Sequence, residues 1–124
     1  MTRKKQLLDY FDEFIEFGKI QGECMLNGDF KTSNKAYKKT EAILNIAKND
    51  GEKEKFYTMI LSSATDANTL TKCCAHMLRL GINAEMARKK LNNIALDETI
   101  HPILKSNAKL FLQEWDKGNI KPIV

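Results

Sequence analysis

Apolar residues recur along this chain three and four positions apart, the spacing that places side chains on one face of a helix. Leu7, Phe11, Phe14 and Ile15 open the pattern, and Ile20, Cys24 and Met25 continue the stripe. The spacing predicts a first helix from near Arg3 to near Leu26, with Thr2 as its cap. Gly18 and Gly22 sit four apart inside it. Each glycine costs a helix roughly 1 kcal/mol relative to alanine, so the pair implies close approach of a neighbouring helix or a mild kink. Asn27-Gly28-Asp29 reads as a stop and a restart: Gly28 supplies the left-handed position after one helix, and Asp29 caps the next.

The second helix is expected from about Phe30 to Lys48, with Tyr37, Leu44 and Ala47 on one side, Ile43 and Ile46 flanking them, and Asn49-Asp50-Gly51 closing it. A third, shorter helix starts near Glu52, carries Phe56, Ile60 and Leu61, and ends in the Ser62-Ser63-Ala64-Thr65 stretch. Asp66 caps a fourth, whose Leu70, Cys74, Met77 and Leu78 face inward until Gly81 terminates it. Asn83 caps a fifth with Met86, Ala87, Leu91, Ile94 and Ala95. Pro102 suits the first turn of a sixth, which holds Leu104, Ala108, Phe111, Leu112 and a core Trp115 before Gly118. No segment sustains period-two alternation. The expectation is a single all-α domain over residues 1–124, five or six helices in antiparallel hairpins with short connections.

Composition narrows the class without changing the fold. The 124 residues are 43% hydrophobic and 29% charged, an ordinary globular mixture rather than a disordered one. Two prolines and six glycines leave little room for a turn-rich β architecture. No apolar run approaches the length of a membrane-spanning helix. Asp9, Asp12 and Glu13 interrupt what would be the apolar region of a secretory signal, so a cytoplasmic location is expected. Cys24, Cys73 and Cys74 form an odd set, and neighbours on one helix point about 100° apart, which again suits a reducing compartment. The net charge of +4 is mildly basic, below that of a dedicated nucleic-acid binder.

Candidate chemistry is sparse. Cys73 and His76 lie three apart and could share a helix face, but zinc wants four ligands and the other histidine, His101, has no ligand-spaced neighbour. Core thiols are the simpler reading. His101 lacks a partner carboxylate or oriented nucleophile and, standing before Pro102, suits a cap-region role. The glycines are not clustered into a phosphate loop. Neither a catalytic residue, a cofactor nor a metal is therefore expected.

Two charged faces remain. Asp9, Asp12, Glu13 and Glu16 lie three or four residues apart on the first helix, with Glu23 two turns beyond. Like charges so spaced repel by a few tenths of a kcal/mol per pair, a cost that either a basic partner or nearby lysines would offset. Lys31, Lys35, Lys38 and Lys39, with Lys48 further on, give the second helix a basic flank. Nucleic-acid recognition would want stacking aromatics interleaved there, and Tyr37 is the one on offer.

Gly28-Asp29 followed by Asn34-Lys35-x-Tyr37, with Trp115 and Gly118 near the end, resembles a family of small bacterial all-helical domains. The second half is similar to a degenerate HEAT repeat: Asp66 stands at the turn, Leu70 at the valine, Cys74 and Ala75 at the paired alanines, and Leu78 at the leucine. Ala87, Leu91, Ile94 and Ala95 resemble the repeat's second helix, while Thr71 replaces the expected arginine. The resemblance implies a HEAT-like helical stack and a place beside polymorphic or contact-dependent toxins, where the small partner is an immunity protein. The leading expectation is therefore a non-catalytic immunity protein that binds a cognate toxin domain through Asp9, Asp12, Glu13, Glu16 and Glu23. A HEAT-like scaffold or regulatory module, or a weak nucleic-acid binder, are the alternatives.

Overall fold

A computed structural model describes residues 5–123. Its described residues form six α-helices and no strand: α1 (Phe11–Asn27), α2 (Phe30–Ala47), α3 (Lys53–Ser63), α4 (Ala67–Leu80), α5 (Ala84–Leu96) and α6 (Pro102–Asp116). The all-α expectation holds. The chain divides into two compact units, the first ending at Ser63 and the second beginning at Ala64.

In the first unit, the predicted opening helix is split. A 3-10 turn, Leu7–Tyr10, precedes α1. The Gln6 N–H donates to Asp9 Oδ2 at 2.8 Å, and the Gln6 side chain caps in return. That reciprocal cap ties up the Gln6 and Asp9 N–H groups, so helical structure starts at Leu7. Thr2, the expected cap, lies outside the described residues. Lys5 Nζ sits 4.2 Å from the Tyr10 ring centroid and 2.6 Å from Glu13 Oε1, stapling the turn to α1.

α1 runs unbroken through both interior glycines and buries Phe14, Gly18 and Gly22 on one face. α2 buries Ser33, Ala36, Thr40, Ile43, Leu44 and Ala47. The smaller of these side chains, Ser33 and Ala36, let two helix backbones come close. The Ser33 hydroxyl, one bond beyond its Cβ, donates to the Gln21 carbonyl of α1 at 3.0 Å. The buried glycine pair fits such an approach, and α1 continues through it as one helix. Only Gly28 and Asp29 separate α1 from α2, so the two helices are antiparallel. Gly28 takes φ 85° and ends α1, while Asp29 Oδ1 accepts from Thr32 N–H at 3.1 Å and starts α2. α3 adds the fully buried Phe56, Tyr57 and Ile60, and Phe56 meets Phe14 edge-on at 5.9 Å.

The second unit packs α5 against both α4 and α6. Asp66 Oδ2 accepts from Thr69 N–H at 2.9 Å and from its hydroxyl at 2.8 Å, fixing the start of α4. Gly81 ends it at φ 73°, with Ile82 N–H returning to the Met77 carbonyl at 2.9 Å. α4 is buried around most of its circumference: Asn68, Thr69 and His76 are inside along with Leu70, Cys73, Cys74, Met77 and Leu78. Asn83 departs from expectation. It adopts φ 44°, ψ 45° and its side chain caps nothing, because a left-handed residue does not aim its side chain at the next turn's N–H groups. Arg88 bridges α5 to α6 through two bonds to Asp116, at 3.2 and 2.5 Å. The C-terminal segment returns to α4, where Ile123 N–H donates to the Arg79 carbonyl at 2.8 Å and Arg79 Nε to the Lys121 carbonyl at 3.1 Å.

Four expected inward-facing residues sit elsewhere. Tyr37, Ile46 and Met86 are exposed. Trp115 is half-buried, stacked on Phe111 with centroids 6.2 Å apart and planes 11° apart. Phe56→Ala should accordingly cost about 3–5 kcal/mol, the range for a buried aromatic. Trp115→Ala should cost clearly less, as read from paired urea denaturation curves. The glycines give a second test. Gly51 has open space around it and no positive φ, whereas Gly81 has open space but φ +73°. Gly51→Ala should leave the melting temperature unchanged or raise it, and Gly81→Ala should lower it by several degrees, corresponding to about 1–2 kcal/mol.

Candidate functional site

The five acidic candidates do not form one uniform surface. Asp9 lies in the 3-10 turn, where its carboxylate serves the cap. Glu13 is half-buried and holds Lys5. Asp12, Glu16 and Glu23 are exposed on α1 and have no ion-pair partner among the described residues. At about 100° per residue these three fall within roughly 40° of one another, a single line down the helix. Lys19 is also exposed and falls on the same line between Glu16 and Glu23, so three carboxylates stand against one ammonium there. The line is outward because Phe14, Gly18 and Gly22 occupy the opposite face.

The basic flank of α2 is fully developed. Lys31, Lys35, Lys38 and Lys39 are all exposed, whereas Lys48 is half-buried beyond the helix end. The α1–α2 hairpin thus carries an acidic outer face on one helix and a basic outer face on the other. Sequence reasoning missed Phe30, which lies on the surface beside these lysines. Its neighbours three and four residues on, Ser33 and Asn34, are polar, and Tyr37 seven residues on along the same face was the signal available.

The nucleophile and ligand candidates are engaged in packing. Cys73 is buried, its Sγ 3.9 Å from Met77 Sδ, and burial raises its thiol well above the ordinary range. Burial also pushes the Cys74 thiol up to about 12. Partial burial, then the carboxylates of Asp29 and Glu23, raise Cys24. All three are therefore thiols, not thiolates, at neutral pH. His76 is buried within α4. His101 is exposed and caps α6, its Nδ1 accepting from Ile103 N–H at 3.1 Å, while Pro102 fills the first turn. Among the described residues no group of three or more His, Cys, Asp or Glu could hold a metal ion.

A cavity of about 240 Å³ opens between the start of α4 and the end of α5, lined by Leu70, Ile94 and Ile100 with Lys90, Asn93 and Asp97 at its polar side. Asp97 is occupied locally: its Oδ1 accepts from Thr99 N–H at 2.9 Å and from the Thr99 hydroxyl at 2.6 Å. Those bonds lower its pKa. No described helix is long and apolar enough to cross a membrane.

Fold and surface together define an all-α protein whose most distinctive feature is a hairpin with oppositely charged outer faces. Comparison with models of protein families, with curated proteins and with solved structures finds no match.

The thiols yield a pH dependence with a definite sign. A folded-state pKa raised above the unfolded value contributes stability that is present below about pH 8.5 and lost as pH rises towards the folded value. Unfolding free energy should thus fall between about pH 8.5 and 12. The fall should be shallower in Cys74→Ala than in the parent chain when urea midpoints are compared across that window.

Proposed function

We propose that this chain is a protein-binding domain without chemistry of its own, an immunity protein that neutralises a cognate bacterial toxin domain. The observation that carries the reading is the exposed line of Asp12, Glu16 and Glu23, which hold no ion pair among the described residues and outnumber the single Lys19 beside them. Unspent carboxylates on a rigid helix favour encounter with a basic surface and disfavour acidic ones. The toxin identity of the partner draws on the resemblance carried by Gly28-Asp29 and Asn34-Lys35-x-Tyr37. Protonated thiols and a histidine committed to a helix cap support a role in binding rather than catalysis.

In this reading the α1 line meets a basic active groove and occludes it. Asp9 and Glu13, already holding the 3-10 turn, keep that line in place rather than reaching the partner. A toxin domain that cuts nucleic acid would present such a groove, since it must hold phosphates.

The test begins with capture of the partner by the tagged chain from its native host, followed by association kinetics and a growth-protection assay. Asp12→Lys with Glu16→Lys should keep helicity and melting temperature. It should slow association about tenfold or more at low ionic strength and lose protection. If Lys38→Glu with Lys39→Glu loses protection while the first variant keeps it, the acidic line is not the interface.

A further inference from the structure

The outer face of α2 combines cations with exposed aromatic rings in a fixed order around the helix. At about 100° per residue, Lys31, Lys35 and Lys38 fall within roughly 60° of one another. Phe30 and Tyr37, seven residues apart, fall within about 20° of one another on the adjacent side, with Asn34 between the two rows. Phe30 is 63% exposed and Tyr37 46%, large values for rings in a water-soluble surface. Lys31, Lys35, Lys38 and Asn34 are exposed, and none of the three lysines holds an ion pair among the described residues. The nearby Asp29 carboxylate is spent on the α2 cap, where hydrogen bonds to Thr32 lower its pKa. Glu41, one turn beyond Tyr37, falls between the two rows and bounds the face at that end.

We infer that this face of α2 binds single-stranded nucleic acid, its phosphates along Lys31, Lys35 and Lys38 and its bases on Phe30 and Tyr37. Two rings about 10 Å apart along the axis, parallel to a row of cations, match a strand whose charged backbone and flat bases lie side by side. A purely anionic partner would use the lysines and leave the rings unexplained. An apolar partner would use the rings and leave the lysines unexplained. Stacking is tolerant of sequence, since every base offers a π-face, so little base preference is expected. The motif Asn34-Lys35-x-Tyr37 acquires a use here: three of its residues lie on the surface and supply one amide, one cation and one ring. The site is separate from the acidic line of α1 and stands whether or not that line binds a toxin.

Fluorescence anisotropy with a labelled twelve-nucleotide thymidine strand tests the assignment, with inorganic polyphosphate as the ring-free polyanion. The parent chain should bind the strand at low salt. Lys35→Glu with Lys38→Glu should abolish most binding of both probes and flatten the salt dependence by about 1.4 in log–log slope, from two lost phosphate contacts. Phe30→Leu with Tyr37→Leu keeps apolar bulk and helix propensity but removes the π-faces. It should weaken strand binding at least about fivefold and leave polyphosphate binding unchanged. Circular dichroism of both variants should match the parent, since all four positions are exposed; if the paired leucine variant unfolds, Phe30→Leu alone carries the ring test. No strand binding at low salt overturns the inference, as does strand binding indifferent to loss of the rings. Salt-sensitive self-association that is lost in Lys35→Glu with Lys38→Glu, without strand binding, would instead assign the face to the acidic α1 line of a second copy.

Discussion

The close approach of α1 to α2 is the constraint on which the first unit depends. Gly18 and Gly22 leave a smooth surface on α1, and Ser33, Ala36 and Thr40 do the same on α2. Little large-side-chain area is buried at that end, so stability there comes from backbone proximity and dispersion rather than from bulky groups. Two hydroxyls lie inside this contact. Thr40 satisfies its own by donating to the Tyr37 carbonyl at 2.8 Å, and Ser33 donates to the Gln21 carbonyl at 3.0 Å. Larger residues take over further along, where Ile43, Leu44 and Ala47 are buried. The aromatic contact of Phe14 with Phe56 brings α3 onto the hairpin.

That contact also decides what the hairpin shows to solvent. Once small residues fix the inner faces, helical geometry sends every carboxylate of Asp12, Glu16 and Glu23 outward on one helix and Lys31, Lys35 and Lys38 outward on the other. The modest net charge of +4 conceals this segregation. Two surfaces of opposite sign on one rigid support can serve different partners, because each attracts what the other repels.

The second unit solves a different problem. α4 is buried around most of its circumference yet carries Asn68, Thr69, His76 and two thiols. The Thr69 hydroxyl is absorbed by the Asp66 cap, and the thiols behave as small hydrophobes that remain protonated. The Arg88–Asp116 pair and the return of the C-terminal segment to Arg79 add surface ties within the unit. Exposed ion pairs of this kind add little to stability, but a two-pronged guanidinium–carboxylate contact fixes geometry.

Much of the backbone was legible in the residues themselves. Gly28, Gly81, Asp29, Asp66 and Pro102 mark helix ends by local chemistry alone, since a left-handed backbone, a side-chain acceptor or a missing N–H acts within a few residues. Periodicity likewise identified Phe14, Phe56, Leu70, Met77, Leu91, Ile94, Ala108 and Leu112, whose spacing puts them on one stripe of each helix. The exceptions are instructive. The reciprocal cap of Gln6 and Asp9 moved the first helix's start, and nothing in the apolar pattern distinguishes it from a continuous helix. Tyr37, Met86 and Phe30 are apolar residues left on the surface, and Asn68, Thr69 and His76 are polar residues brought inside. Hydrophobicity and spacing name a helix's apolar face but not whether a second element covers its edge. The acidic candidates divide for a local reason: Asp9 and Glu13 are claimed by Gln6 and Lys5 of the preceding turn, partners that charge spacing along one helix does not reveal. The sequence by itself determined where most of the helices begin, end and turn, because those rules are local. Which side chains are free to meet a partner was decided by tertiary packing, because exposure depends on what distant residues bring alongside.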